Sequence, residues 1–176
     1  MKLEFNLGQK HDVPNTWKVN GKSAVLTKGK NTLSIILDSV EVYLEGEFYY
    51  YIEDGVTVRI DKDDLKHLEY LFNKYPVEEI PHLLEGMYSC IYYNKQKEVI
   101  SLFSDSFNRK TLYYTEREGT FLSSTELKDV LGTFDTISYN QNSLYSYLLL
   151  GYSTNNYTFY QNVNRLGADA VISISS

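Results

Sequence analysis

The chain has 176 residues and a formal net charge of -6, which suits one domain with its own core and disfavours a polyanionic partner such as nucleic acid. No apolar run reaches the roughly 20 residues needed to cross a bilayer, and the start, MKLEFNLGQK, lacks the pattern of a secretory signal. The lone Cys90 excludes an internal disulfide and a cysteine zinc site.

Residues 12–21 carry Pro14, Asn15, Asn20 and Gly21 and read as loop and turn. Lys28-Gly29-Lys30-Asn31 reads as a hairpin turn between strands at 24–27 and 32–37. The run VEVYLEGEFYYYI over 40–52 is aromatic and β-branched, and the 17 tyrosines of the chain suit strands with one wet face. Gly46 inside that run marks a bulge or a close backbone approach. Glu53-Asp54-Gly55 is a turn, and 56–60 alternates again.

The period then changes. Leu65, Leu68, Leu71 and Phe72 predict a helix over 61–75, opened by Asp61, Asp63 and Asp64 and ended by Pro76. A short helix follows at 77–84. Gly86 opens a strand pair, 87–93 and 99–103, turning at 94–97; a second pair, 110–114 and 120–123, turns at Glu118-Gly119. Ser124 or Thr125 caps a helix over 126–131 that Gly132 stops. A further helix spans 142–150 and ends at Gly151; a closing strand covers 171–175. Strands in runs and helices in separate blocks indicate the α+β class.

Three segments carry a family resemblance. One is Phe103-Ser104-Asp105-Ser106-Phe107-Asn108-Arg109-Lys110-Thr111-Leu112-Tyr113-Tyr114; another is Ser124-Thr125-Glu126-Leu127-Lys128; the third is Glu45-Gly46-Glu47-Phe48-Tyr49-Tyr50. Together they resemble the N-terminal class II glutamine amidotransferase domain of asparagine synthetases, whose motifs read R-D-x-[FL]-G-x-K-P-L-Y-Y, A-S-E-x-K-A-L and N-G-E-I-Y-N. Asp105, Lys110, Tyr113 and Tyr114 match directly, as does Glu126. Asn108 replaces a glycine, and asparagine is among the few residues that tolerate a left-handed backbone. The downstream segments YLLLGY, TFYQNV, RLG and VISIS resemble the end of that domain.

The resemblance implies the four-layer αββα sandwich of N-terminal nucleophile (Ntn) hydrolases, two antiparallel sheets flanked by helices, as a single domain over 1–176. It also implies that the ordinary chemistry is lost. In the family a cysteine after the initiator methionine attacks glutamine, with its own α-amine as base; Lys2 stands there. The family's oxyanion-donating Asn is Glu45 here, and its clamp Arg has no clear counterpart, Thr32 preceding the echo Leu33-Ser34-Ile35. Cys90 alternates with tyrosines mid-strand and reads as core.

The resulting expectations are these. No residue is catalytic and none binds metal. Glu45, Gly46, Glu47 and Asp105 are candidates for a remnant pocket, with Asp105 more readily a turn-former and Asp63 or Asp64 an alternative clamp acid. Asn108, Lys110, Tyr113 and Glu126 are structural. The chain itself takes no cofactor, since ATP and Mg belong to a synthetase half whose S-G-G-x-D-S motif is missing here. Its partner is that synthetase domain or subunit, in cis or trans, or a second copy in a homodimer; nucleic acid and membrane are not partners, and the setting is cytoplasmic. The rival readings are a stand-alone scaffold using the tyrosines of 47–52, and a hydrolase with a replaced nucleophile and Glu45, Glu47 or Asp105 as base.

Overall fold

β-Branched and aromatic runs form most of the strands in a computed structural model that describes residues 2–6, 16–19, 22–27, 32–61, 66–117 and 120–174. In chain order the described elements begin with strands β1 (Lys2–Asn6), β2 (Thr16–Val19), β3 (Lys22–Thr27), β4 (Thr32–Ile36), β5 (Val40–Glu53) and β6 (Val56–Arg59). Helices α1 (Lys66–Lys74) and α2 (Ile80–Leu83) precede β7 (Leu84–Asn94), β8 (Val99–Ser104), β9 (Tyr113–Arg117) and β10 (Thr120–Ser124). Then come α3 (Leu127–Leu131), α4 (Gln141–Leu150), β11 (Asn164–Arg165) and β12 (Val171–Ile174). One antiparallel sheet has the order β11-β9-β10-β1-β3-β2; the other runs β12-β8-β7-β5-β4, with β6 paired to the end of β5. The class is α+β with two antiparallel sheets and a few helices, as expected and compatible with a sandwich of the Ntn type.

The chain divides into two compact units, Met1–Lys28 with Thr111–Gly167, and Gly29–Lys110 with Ala168–Ser176. In the second unit β5 is central. Its register with β7 runs unbroken from Val40↔Asn94 to Phe48↔Gly86 and shifts only between Phe48 and Tyr50. Gly46 therefore marks a close approach, and the irregularity comes later. Val42, Leu44, Phe48, Tyr88 and Phe103 from the sheet pack with Leu68, Leu71 and Phe72 of α1, the helical spacing the sequence displays. Each such buried side chain contributes about 1.5–3 kcal/mol. Asp54 and Gly55 both have positive φ (49° and 77°), the backbone that a two-residue hairpin loop between β5 and β6 requires.

Four expectations are corrected. The strands at 24–27 and 32–37 do not form a hairpin: β3 pairs with β1 and β2, whereas β4 pairs with β5. Long-range pairing overrides the local turn signal, and residues 28–31 lie outside the described residues. The loop expected at 12–21 contains β2, which is held by β3. The short helix at 77–84 shrinks to α2, because Leu84 is captured by β5 opposite Tyr51. The strand expected at 110–114 begins at Tyr113, since residues up to Lys110 are held in a turn around Asp105. Gly132 does follow α3, but with a right-handed φ of -63°.

A polar staple joins α1 to β5. Glu53 accepts hydrogen bonds from Lys74 Nζ at 2.7 Å, from Tyr70 Oη at 2.9 Å and from Tyr75 Oη. Lys74 and then Tyr75 hold the Glu53 carboxyl well below its ordinary 4.5, at about 2. Because the folded value lies below the unfolded one, the stabilisation is complete above pH 4.5 and disappears as the pH falls through about 2. Thermal melts across that window should lose a component that Glu53→Gln lacks throughout. High salt should shrink the same component, since Lys74 is exposed. An identical pH profile in the variant would refute the staple.

Candidate functional site

Strand β5 carries the candidate triplet between two neighbours. Glu45 faces Thr32 of β4 on one side and Ser89 of β7 on the other, and is half-buried. Gly46 has φ +130°, and a Cβ there would lie 2.0 Å from the carbonyl oxygen of Met87 and 2.8 Å from Tyr88 Cα. Gly86 repeats the approach from β7, its notional Cβ being 2.4 Å from the carbonyl oxygen of Glu47. Glu47 is exposed opposite Met87.

Gly46, Glu47 and Phe48 line a cavity of about 200 Å³ together with Leu33, Asp61 and Leu68. A larger cleft of about 990 Å³ shares Phe48 and Asp61 and adds Tyr49, Tyr50 and Arg59. The small cavity thus offers carboxylates among apolar walls, and among the described residues no cysteine, serine or threonine lines it. The sequence reading missed Asp61 and Arg59 as cavity residues. Its pattern places Asp61 at a helix start, but Asp61 precedes the described part of α1 and faces the cavity. The alternation of 56–60 puts Arg59 on a strand without saying what it faces. The echo Leu33-Ser34-Ile35 does come beside the triplet, because β4 pairs with β5, and Leu33 reaches the cavity. Asp63 and Asp64 lie outside the described residues.

Asp105 stands apart from this cavity and organises a turn, as its residue type suggests. It is 1% exposed. Its carboxylate accepts from the backbone amides of Tyr88 (3.2 Å), Phe107 (3.0 Å), Arg109 (3.1 Å) and Lys110 (3.4 Å). Arg109 adds its own Nε at 3.4 Å and reaches the Gly86 carbonyl oxygen through Nη2 at 2.8 Å. Asp105 thereby braces Tyr88, the residue opposite Gly46. Asn108 adopts φ 51°, the left-handed backbone expected where the resembling family has glycine.

The other structural candidates lie in the first unit or at its border. Lys110 ends the Asp105 turn through its amide. Tyr113 opens β9 and packs on the cluster of Leu122, Val130 and Val163. Glu126 precedes α3, and its amide donates to Ser124 Oγ at 3.0 Å. Ser124 in turn donates to Asp129 Oδ2 at 2.9 Å; the N-cap of α3 is Glu126, without a side-chain cap, where the sequence reading put Ser124 or Thr125. Lys2 begins β1, paired with Ser124 and Thr27. Cys90 is fully buried in β7 between Leu44 and Phe103, and burial pushes its thiol up, away from the reactive thiolate. Among the described residues no three of His, Cys, Asp and Glu gather as metal ligands.

Residues 30–176 match a family model described as the glutamine amidotransferase domain. The match begins after β3. Over 97 residues the chain is also 30% identical to a putative asparagine synthetase (glutamine-hydrolyzing) 1 of Methanocaldococcus jannaschii. That alignment covers 52% of this chain and 17% of the relative, so the chain spans a small part of the protein it resembles.

Proposed function

Since the chain belongs to the glutamine amidotransferase domain family, we propose that it is a catalytically degenerate glutaminase-like domain serving an asparagine synthetase-related, ATP-dependent enzyme that forms amide bonds. It acts in the cytoplasm as a packing and interaction module and delivers no ammonia. Glu45 carries this reading. It immediately precedes the sterically confined Gly46, at the place where the family resemblance puts an oxyanion-donating Asn. A carboxylate cannot donate to a developing oxyanion and repels it; losing one such donor costs about 10²–10³ in rate. One further feature supports the reading: Cys90 is sealed in the core.

ATP and Mg act only in the synthetase half, which lies in cis or in trans. The surface we assign to that partner is the C-terminal part of α4. Leu148 and Leu149 are 78% and 83% exposed, and from Thr136 to Asn164 the chain contains no charged residue and no histidine. An exposed uncharged apolar face of this kind marks a protein contact. The relative, of which the matched stretch is only 17%, supplies the chemistry of the occupant. A homodimer is the competing occupant, and sedimentation of the chain alone reads it out.

Purified chain incubated with glutamine should release no glutamate above the uncatalysed background. Turnover that Glu47→Ala abolishes while the melting temperature stays unchanged would establish the hydrolase reading instead. Leu149→Glu should leave the fold intact and abolish co-sedimentation with the synthetase subunit. Unchanged association would move the interface elsewhere.

A further inference from the structure

The charge-free segment also forms a cavity that the amide-transfer reading does not use. It measures about 510 Å³ and is lined by Tyr139, Asn140, Gln141, Asn142, Tyr157 and Gln161. That volume lies within the roughly 300–1,000 Å³ of ordinary small-molecule sites. Among the described residues, no charged side chain is among its walls.

The walls are fixed before any ligand arrives. The Asn140 amide donates to the Phe159 carbonyl oxygen at 2.8 Å, and the Gln161 amide to that of Ser138 at 2.9 Å. Backbone bridges join Tyr139 to Tyr160 and Tyr157 to Asn164. The Tyr139 ring stacks on Tyr160 with centroids 5.8 Å apart and a 30° interplanar angle, so one face is held and the other is presented. Tyr139 and Tyr157 nonetheless stay 63% and 47% exposed. Asn140 Oδ1 is engaged by the Ser143 amide. Among the described residues, no group pairs with the side-chain amides of Gln141 and Gln161.

These features select a ligand by exclusion and by fit. Among the described residues no Arg, Lys or carboxylate lines the cavity, so a charged ligand would meet no counter-charge there. A purely apolar ligand would bury carboxamides without partners, which is costly. Carboxamides each offer one acceptor and two donors, the complement of vicinal hydroxyl groups. An exposed tyrosine face suits the flat C–H side of a pyranose ring, a weak but recurring contact. We propose that this cavity is a binding site for a neutral carbohydrate, stacked on Tyr139 and hydrogen-bonded to Gln141, Asn142 and Gln161. The proposal rests on this cavity alone and is independent of the synthetase reading.

The test uses ligand-observed NMR and calorimetry on the full chain with three probes: maltotriose, cellotriose and triacetylchitotriose. At least one should bind saturably, with a dissociation constant below about 5 mM. Tyr139→Ala should weaken that binding about tenfold or more. Should Tyr139→Ala lower the melting temperature, Gln161→Ala decides, because its side chain is exposed and holds no described partner; it should weaken binding about threefold. Absence of saturable binding by all three sugars overturns the proposal. So does sugar binding that neither variant alters, and so does selective binding of adenosine or of a neutral dipeptide amide in their place.

Discussion

Gly46→Ala is expected to cost more than about 3 kcal/mol of folding free energy, enough to unfold much of the protein at ordinary temperature. Two penalties coincide. The φ of +130° is one that L-residues rarely adopt, and the new Cβ would meet backbone atoms, Met87 O at 2.0 Å and Tyr88 Cα at 2.8 Å. A flexible side chain could swing away, but strand β7 cannot move without breaking its ladders with β5 and β8. Gly55 is the internal control. It also has positive φ, +77°, but nothing lies within 4 Å of its notional Cβ. Gly55→Ala should therefore cost only the backbone term, about 1 kcal/mol. Urea unfolding of both variants measures the difference. Equal costs would mean that the strands separate easily at Gly46, and the case for its structural necessity would fail. Gly46 is thus held by β7, whatever Glu45 does.

What the sequence disclosed and what it hid divide along the range of the interactions concerned. Leu68, Leu71 and Phe72 declared α1 because helix periodicity is local, and all three are buried where expected. Gly151 ended α4 in the same way and takes φ +79°, whereas the N-cap Asn140, whose Oδ1 accepts from the Ser143 amide, went unread. Asp105 and Asn108 were legible as turn chemistry. The failures required knowledge of remote partners. Lys28-Gly29-Lys30-Asn31 carries a good local turn signal, yet β3 and β4 belong to different sheets because β1 and β5 offer them longer ladders. β2 was invisible behind Pro14 and Asn20, and only β3 makes it a strand. In the candidate cavity Glu47 was foreseen from its motif, whereas Asp61 and Leu33 arrive through the β5–β6 hairpin and the β4–β5 ladder. The charge-free stretch from Thr136 to Asn164 was open to inspection, but it gained meaning as a surface only once Leu148, Leu149 and Tyr139 proved exposed.

Asp105→Ala should destabilise the fold by about 3–5 kcal/mol, the cost of orphaning several buried donors at once. The amides of Tyr88, Phe107, Arg109 and Lys110 converge on this one carboxylate, and the Arg109 guanidinium stands beside it. Water cannot readily replace it at a position 1% exposed. Asp105→Asn should fall between wild type and Asp105→Ala: one oxygen still accepts, but the new NH2 points donors at donors. Asn108→Gly is the contrast within the same turn. Its φ of 51° is open to glycine, so the change should shift stability by less than about 1 kcal/mol. Chemical denaturation of the three variants separates a turn-forming carboxylate from a remnant clamp. A clamp for a lost substrate would be dispensable to folding, and an Asp105→Ala protein as stable as wild type would return the residue to the pocket. The predicted order places Asp105→Ala worst, Asp105→Asn intermediate and Asn108→Gly near wild type. It follows only if the acid is kept to hold the chain behind Tyr88.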